Sequence, residues 1–379
     1  MKKIQKIFIF FIIFFLLFSN LAFAKTLKDC TNIPSAEYNE MLLKNNVKNN
    51  FKNQEINQKY IFLNYSEEFD KVLISQNENT KINPASVTKV LTSILAIENL
   101  DINEKIKIIN KDTVLPQNYV SVPLIVGETV SIDQLLHYTM IPSCNDAAKT
   151  LERILNEKTE GFLPLTKKLL NKLDMKDTNI TNSYGLAEKN HYTTANDLLK
   201  LTKYCLKNPI FKDLVNNSYI NIPSYGGRAF QKRQNTNLYL IDSNFKRKDI
   251  LGVKTGYNEL SGYFLVSYKN DELSKSKNNK IITIVGNLPS ENLRYSVSNS
   301  LYSNSSFLIN LKRVDEKRKK LEKEEKERLE KERIEKEKQL KKEKIIKLLK
   351  IFIFTILFLI FIKIIFKPYK NSNMKKHKK

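Results

Sequence analysis

Histidine is almost missing from this chain: 379 residues contain three, His137, His191 and His377. Zinc sites want several His and Cys ligands at short spacing. The three cysteines, Cys30, Cys144 and Cys205, stand far apart with no C-x-x-C, so a metal centre is excluded and no cofactor is expected. A Ser-His-Asp triad would have to use His137 or His191, which read instead as a packed and a surface side chain, and Cys30 and Cys205 read as free thiols. Glycine is scarce as well, with nine residues, and neither G-x-G-x-x-G nor G-x-x-x-x-G-K-[S/T] occurs. A nucleotide cradle is therefore not indicated. The segment Gly226-Gly227-Arg228-Ala229-Phe230 reads as a turn leading to a strand. Acidic residues are absent from two stretches, 1–24 and 345–379.

Those two stretches decide what the net charge of +24 means. Residues 1–24 hold +3 and residues 345–379 hold +9. Residues 312–344 hold 16 basic and 11 acidic side chains, and residues 25–311 hold 36 and 29. The long middle segment thus carries only +7, without a basic stripe interleaved with aromatics, and a nucleic-acid partner is excluded. It is long enough for one substantial core.

The ends read as topology. Residues 1–24 combine Lys2, Lys3 and Lys6, an apolar run over 7–17, and Ala22-Phe23-Ala24 as a small-x-small cleavage site. They form a signal peptide, the alternative being an uncleaved anchor. Residues 25–58 are a polar lead-in. Residues 345–366 are apolar apart from Lys347, Lys350 and Lys363, and 351–362 carry no charge. About 20 apolar residues span a bilayer as a helix, with terminal lysines snorkelling to the headgroups. The alternative is a helix lying in the interface. The six lysines of the tail, 367–379, favour the cytoplasmic side. The main domain, 59–311, then sits on the extracytoplasmic (periplasmic) side of the cell membrane, on a single C-terminal anchor in contact with membrane lipid. Between them, 27 of the 33 residues 312–344 are charged. Val314, Leu321, Leu329, Ile334 and Leu340 make no heptad. Acid-to-base pairs such as Glu316–Lys320 and Glu327–Lys331 recur at i,i+4. This predicts a solvated helical stalk; a charged flexible linker is the alternative.

Within 59–311 one pattern suggests chemistry. Ser86-Val87-Thr88-Lys89 opens an apolar run over 90–100 that predicts a helix. A serine at a helix start lies near unpaired backbone N–H groups, and a lysine three positions on shares its face. A buried lysine close to another cation loses pKa and can act as a base, which activates a serine without histidine. S-x-x-K alone is weak, since it recurs at Ser243, Ser274 and Ser372 and suits an ordinary capped helix. Two further elements support it. Ser143-Cys144-Asn145 precedes a second predicted helix, and Lys254-Thr255-Gly256 follows 250–253 in a predicted edge strand, with later strands over 263–268 and 281–286. S-x-x-K, S-x-N and K-T-G in that order are a strong joint signal.

At these residues the chain resembles the low-molecular-mass penicillin-binding proteins, the serine-type D-alanyl-D-alanine carboxypeptidases of the peptidase S11 type. The likeness extends to the run from Val126 to Leu136, to Tyr184-Gly185-Leu186, to Tyr192-Thr193-Thr194-Ala195-Asn196-Asp197, and to Gly252-Val253-Lys254-Thr255-Gly256-Tyr257. It implies an α/β (α+β) fold like that of β-lactamases and transpeptidases, an antiparallel five-stranded sheet flanked by helices plus an all-helical subdomain. It implies a hydrolase of peptidoglycan metabolism and cell shape that removes the terminal D-alanine from stem pentapeptides and is acylated by β-lactam antibiotics. Ser86 would be the nucleophile, Lys89 the base and Ser143 the proton relay. Asn145, Lys254, Thr255, Gly256, Tyr257 and Arg294 would bind substrate, with the N–H groups of Ser86 and Tyr257 as the oxyanion hole. Lys89 and Lys254 would depress each other's pKa.

The chain departs from the family in Cys144, where Gly or Ala is usual, and in Tyr184, where His is common. The charged stalk also begins where many relatives continue into a β-sandwich. A class A β-lactamase needs an E-x-x-L-N glutamate well downstream of the second motif. Glu152-Arg153-Ile154-Leu155-Asn156 begins only seven residues after Asn145 and reads as the following helix. An endopeptidase using the same site is a further alternative, and a non-catalytic, membrane-tethered wall-binding protein a third.

Overall fold

Two strands that the sequence reading did not anticipate, β1 (Ile61–Ser66) and β2 (Lys71–Gln76), open the sheet. The computed structural model describes residues 58–115, 124–242, 244–270 and 279–365. The expected signal peptide, nearly all of the polar lead-in and the basic tail lie outside the described residues. Contacts divide the chain into two units, Met1–Leu311 and Lys312–Lys379.

In the first unit, β7 (Ile250–Asn258), β8 (Gly262–Asn270) and β9 (Lys280–Leu288) complete an antiparallel sheet of order β2-β1-β9-β8-β7. The K-T-G strand is therefore an edge strand, as expected. Period-2 alternation sends successive side chains to opposite faces, and both faces are covered. Ile61, Leu63, Phe264, Val266, Ile282 and Ile284 join one apolar cluster, while Phe62, Leu265, Ile281 and Val285 join another. The second cluster is closed by Tyr295, Leu301, Tyr302 and Ile309 from the start of the last helix. On that face Asn64 of β1 donates to Ser305 at 2.8 Å.

Helices complete this unit, several of them starting at a side-chain cap. They are α1 (Thr88–Asn99), α2 (Asn110–Thr113), α3 (Ile132–Met140), α4 (Asn145–Lys158), α5 (Phe162–Lys172), α6 (Ala195–Cys205), α7 (Pro209–Leu214) and α8 (Leu238–Ile241). Ser131 and Gln134 form a capping box ahead of α3. Thr194 caps α6, and Asn208 caps α7 with Pro209 in its first turn. Two small hairpins, β3 (Lys105–Lys107) with β4 (Thr129–Ser131) and β5 (Tyr219–Ile222) with β6 (Gln231–Gln234), decorate this side. The Gly226-Gly227 turn does lead into a strand, β6.

The two histidines exchange the places expected of them. His137 is 28% exposed on α3 beside Asp133, whereas His191 is 1% exposed. Its neighbours Glu188, Lys189 and Asn190 make the segment look like a surface loop. Bridges from Tyr192 to Asn179 and from Thr193 to Ile82 draw the ring inward instead.

The last helix, α9, is Glu291–Ile365. Within the second unit it is exposed throughout residues 320–365. Its ion pairs include Arg318–Glu322, Lys320–Glu324, Arg328–Glu332 and Arg333–Glu337 at 3.5–3.9 Å. These run base-to-acid, opposite in sense to the acid-to-base pairs expected, and at this exposure each contributes little. Residues 316–365 are long and apolar enough at their C-terminal end to cross a membrane.

Candidate active site

The first motif folds as a tight turn before the helix. Residues Ala85–Val87 form a 3-10 turn and α1 begins at Thr88, so Ser86 stands just ahead of the helix. Ala85 lies at φ +47°, a left-handed conformation that costs an L-residue about 1–2 kcal/mol and persists only when its surroundings enforce it. Asn83 helps: its Oδ1 accepts the Ala85 N–H at 2.9 Å and the Asn258 side-chain amide at 2.8 Å.

Lys89 is fully buried. Its Nζ lies 2.9 Å from Ser86 Oγ, 2.7 Å from Asn145 Oδ1 and 2.9 Å from the Tyr184 carbonyl. Burial lowers its pKa to about 7, against the opposing pull of Asp146. A neutral amine has two N–H bonds and one lone pair. Asn145 Oδ1 and the Tyr184 carbonyl have no proton to give, so they take the two N–H bonds. The lone pair is left for the Ser86 hydroxyl, which is the geometry a general base requires.

The second motif arrives from α3. Its loop places Ser143 at φ +65° and turns Asn145 into the first residue of α4. Ser143 and Asn145 are buried, as is the Cys144 thiol between them, whose pKa burial pushes up. Cys144 and Cys205 are both free.

The third motif lies on β7. Lys254 is buried, its Nζ 3.2 Å from the Thr255 carbonyl and 3.5 Å from Thr236 Oγ1. Its pKa is pushed well below the ordinary lysine value, first by burial and then by the charges of Lys89 and Arg294. The expected mutual depression of the two lysines is thus resolved in one direction only; for Lys89 the cause is burial. Thr255 Oγ1 donates to Thr236 Oγ1 at 2.6 Å. Gly256 lets β7 pass the Ala85–Val87 turn, since a Cβ there would stand 3.1 Å from the Pro84 carbonyl and 3.3 Å from Ala85 Cβ. Tyr257 is exposed and packs its ring on Tyr263 at 4.4 Å. Arg294, in the first turn of α9, is buried, stacks on Tyr263 and Tyr295, and pairs with Glu291.

A match to the family model for D-alanyl-D-alanine carboxypeptidase (peptidase S11) covers residues 47–289. The chain belongs to this family. It is 30% identical over 209 residues to the D-alanyl-D-alanine carboxypeptidase DacF of Bacillus subtilis, which covers 52% of this chain and 50% of DacF. It is 31% identical over 204 residues to a D-alanyl-D-alanine endopeptidase of Haemophilus influenzae, covering 51% and 65% of the two chains. The match thus spans about half the length of the first of these relatives. The fold is that of the Streptomyces K15 DD-transpeptidase, with a TM-score of 0.57 at 23% identity over 64% of this chain and 94% of the other. The Mycobacterium tuberculosis D-alanyl-D-alanine carboxypeptidase is similar, with a TM-score of 0.56 at 21% identity over 64% and 89%.

In this S11 member, two contributors escaped the sequence reading. Thr236 is a lone threonine in a loop, and nothing local marks it as the partner of Lys254 and Thr255. Tyr184 acts through its backbone carbonyl, so its side-chain identity carries no signal. The adjoining Gly185 does carry one. It lies at φ +88°, and a Cβ there would stand 1.9 Å from the Ala85 carbonyl. Gly185→Ala is expected to lower the melting temperature and to slow labelling by a fluorescent penicillin at least tenfold, because the turn that carries Ser86 must move.

Proposed function

We propose that this protein is a serine D-alanyl-D-alanine carboxypeptidase acting on peptidoglycan stem peptides. The observation that carries the reading is the buried Lys89 amine with two proton-free acceptors and one hydroxyl, Ser86, around it. Ser86 attacks the carbonyl between the two D-alanines while Lys89 takes its proton. The N–H groups of Ser86 and Tyr257 hold the oxyanion, a contribution worth about 3–4 kcal/mol where one donor has been removed from other acyl-transfer sites. Ser143 relays the proton that Lys89 took to the leaving D-alanine amine, giving up its own hydroxyl proton and receiving that of Lys89, and water then hydrolyses the acyl-enzyme. Asn145 orients the substrate, and Lys254, Thr255 and Arg294 receive its terminal carboxylate, with Gly256 keeping the β7 backbone close. β-Lactams acylate Ser86 by the same route, with their ring amide in place of the peptide bond.

The decisive assay incubates the full chain with a stem pentapeptide and with nitrocefin. Release of one D-alanine per peptide with slow nitrocefin turnover is expected; rapid nitrocefin turnover without D-alanine release would overturn the reading in favour of a β-lactamase. The likeness to the Haemophilus endopeptidase supports a second reading, cleavage of D-alanyl cross-bridges, and a cross-linked dimer offered in the same assay separates the two.

We further propose the layout of the whole protein: a signal peptide at 1–24, a polar lead-in at 25–58, a catalytic domain at 59–311, a charged stalk at 312–344, a membrane helix at 345–366 and a cytoplasmic tail at 367–379. The apolar helical residues 345–365 support it. The catalytic domain then faces the wall. Alkaline carbonate is expected to leave the full chain in the membrane pellet and to release a variant lacking residues 345–379.

A further inference from the structure

The Ala85 carbonyl and the Ser86 N–H belong to one planar peptide unit, so fixing the first aims the second. Ala85 is tied to a buried histidine by two routes, one at its carbonyl and one at its N–H. Thr88 Oγ1 donates to the Ala85 carbonyl at 2.8 Å and lies 2.8 Å from His191 Nε2. The Thr181 backbone N–H points at His191 Nδ1, 3.1 Å away. Nδ1 therefore carries the lone pair and Nε2 the proton. Donation runs in one direction, from Thr181 to the imidazole, from the imidazole to Thr88, and from Thr88 to the carbonyl. The second route uses Asn83, whose side-chain amide donates to the His191 carbonyl at 2.9 Å while its Oδ1 accepts the Ala85 N–H. Thr88 and His191 are 3% and 1% exposed.

We propose that His191 is a positioning residue for acylation. Through Thr88 and Asn83 it holds Ala85 in its left-handed conformation and so aims the Ser86 N–H at the developing oxyanion. The inference rests on Ser86 being the nucleophile. Burial lowers the His191 pKa to about 4, with Glu188 opposing, so the ring is neutral near pH 7 and its donor pattern stays fixed. A hydrophobic ring or alkyl group of similar size would fill the space without the donor, which separates aiming from packing.

Deleting an oxyanion donor costs about 10²–10³ in rate, and a misaimed donor costs part of that. The test follows acylation of the full chain by a fluorescent penicillin at increasing concentration, which yields the dissociation constant of the first complex and the acylation rate constant. His191→Leu is expected to reduce the rate constant about 10- to 100-fold with the dissociation constant within twofold of wild type. His191→Gln, which restores an N–H donor, is expected within about fivefold of wild type. Folded His191→Leu that acylates at the wild-type rate, or equal losses in Leu and Gln, would overturn the proposal. If His191→Leu fails to fold, Thr88→Val against Thr88→Ser decides instead: a slow Val with a near-normal Ser supports the relay, and equal rates refute it. Wild-type protein that takes no label, or Ser86→Ala protein that does, would refute the nucleophile assignment instead, a distinct result from an unimpaired His191→Leu.

Discussion

Ser86→Ala is expected to abolish covalent capture of a fluorescent penicillin while leaving the fold intact. Catalysis by an acyl-enzyme needs the one oxygen that both reaches the substrate carbonyl and can lose its proton to a neighbouring base. Ser86 Oγ is a hydroxyl within hydrogen-bond reach of the Lys89 amine. Losing it leaves Lys89 with Asn145 Oδ1 and the Tyr184 carbonyl, so the buried amine still has two acceptors. The melting temperature should therefore shift by no more than a few degrees, and the labelled band on a denaturing gel should vanish. A band that survives the substitution would place the nucleophile elsewhere, with Ser143 the next serine to test.

The second large effect is on pH dependence. Lys89 serves as a base only when neutral, and its pKa is lowered to about 7 by burial. Below that value the neutral fraction falls tenfold per pH unit, so the acylation rate constant is expected to fall likewise as pH drops from about 7 to 5. Above about 8 it should be flat. A rate that declines as pH rises through 7 would give Lys89 the wrong protonation state for its role. Lys89→Arg keeps the charge but cannot lose a proton at these pH values, and it is expected to cost about 10²–10⁴ in rate, the usual worth of a general base. Retention of activity in that variant would eliminate Lys89 as the base.

The three motifs are legible because they reside in residue identity: Ser86, Lys89 and Asn145 meet in space, and Lys254 lies close enough for the Lys89 charge to lower its pKa. The edge position of the K-T-G strand was legible from the apolar run before it. The sheet was only partly so. Three of its strands follow from residues 250–286, whereas β1 is buried at all six positions and β2 shows no period-2 pattern, so neither carries the alternation that marks a strand, and the five-strand count comes from family likeness. The site's supporting contacts were hidden for a different reason. Tyr184 offers a carbonyl, Thr236 a hydroxyl on an irregular loop, and Ala85 a backbone conformation, none of which leaves a compositional mark. His191 stands in a polar stretch that predicts exposure, and the strand-like bridges at Tyr192 and Thr193 bury it instead.

The burial of Lys89 has a consequence for the protein as a whole. In the unfolded chain this amine titrates near its ordinary 10.5, and in the folded domain near 7. Between those values the unfolded state holds a proton that the folded state has released, so the contribution of this one group to folding rises with pH, while the buried Cys144, Cys205 and Tyr302 side chains, whose pKa values burial raises, act in the opposite sense at higher pH. The contribution is complete above about 10.5 and is lost as pH falls towards 7. The burial that suits Lys89 to its proposed role as a base thus makes its own contribution to stability rise over the pH range in which the amine is neutral.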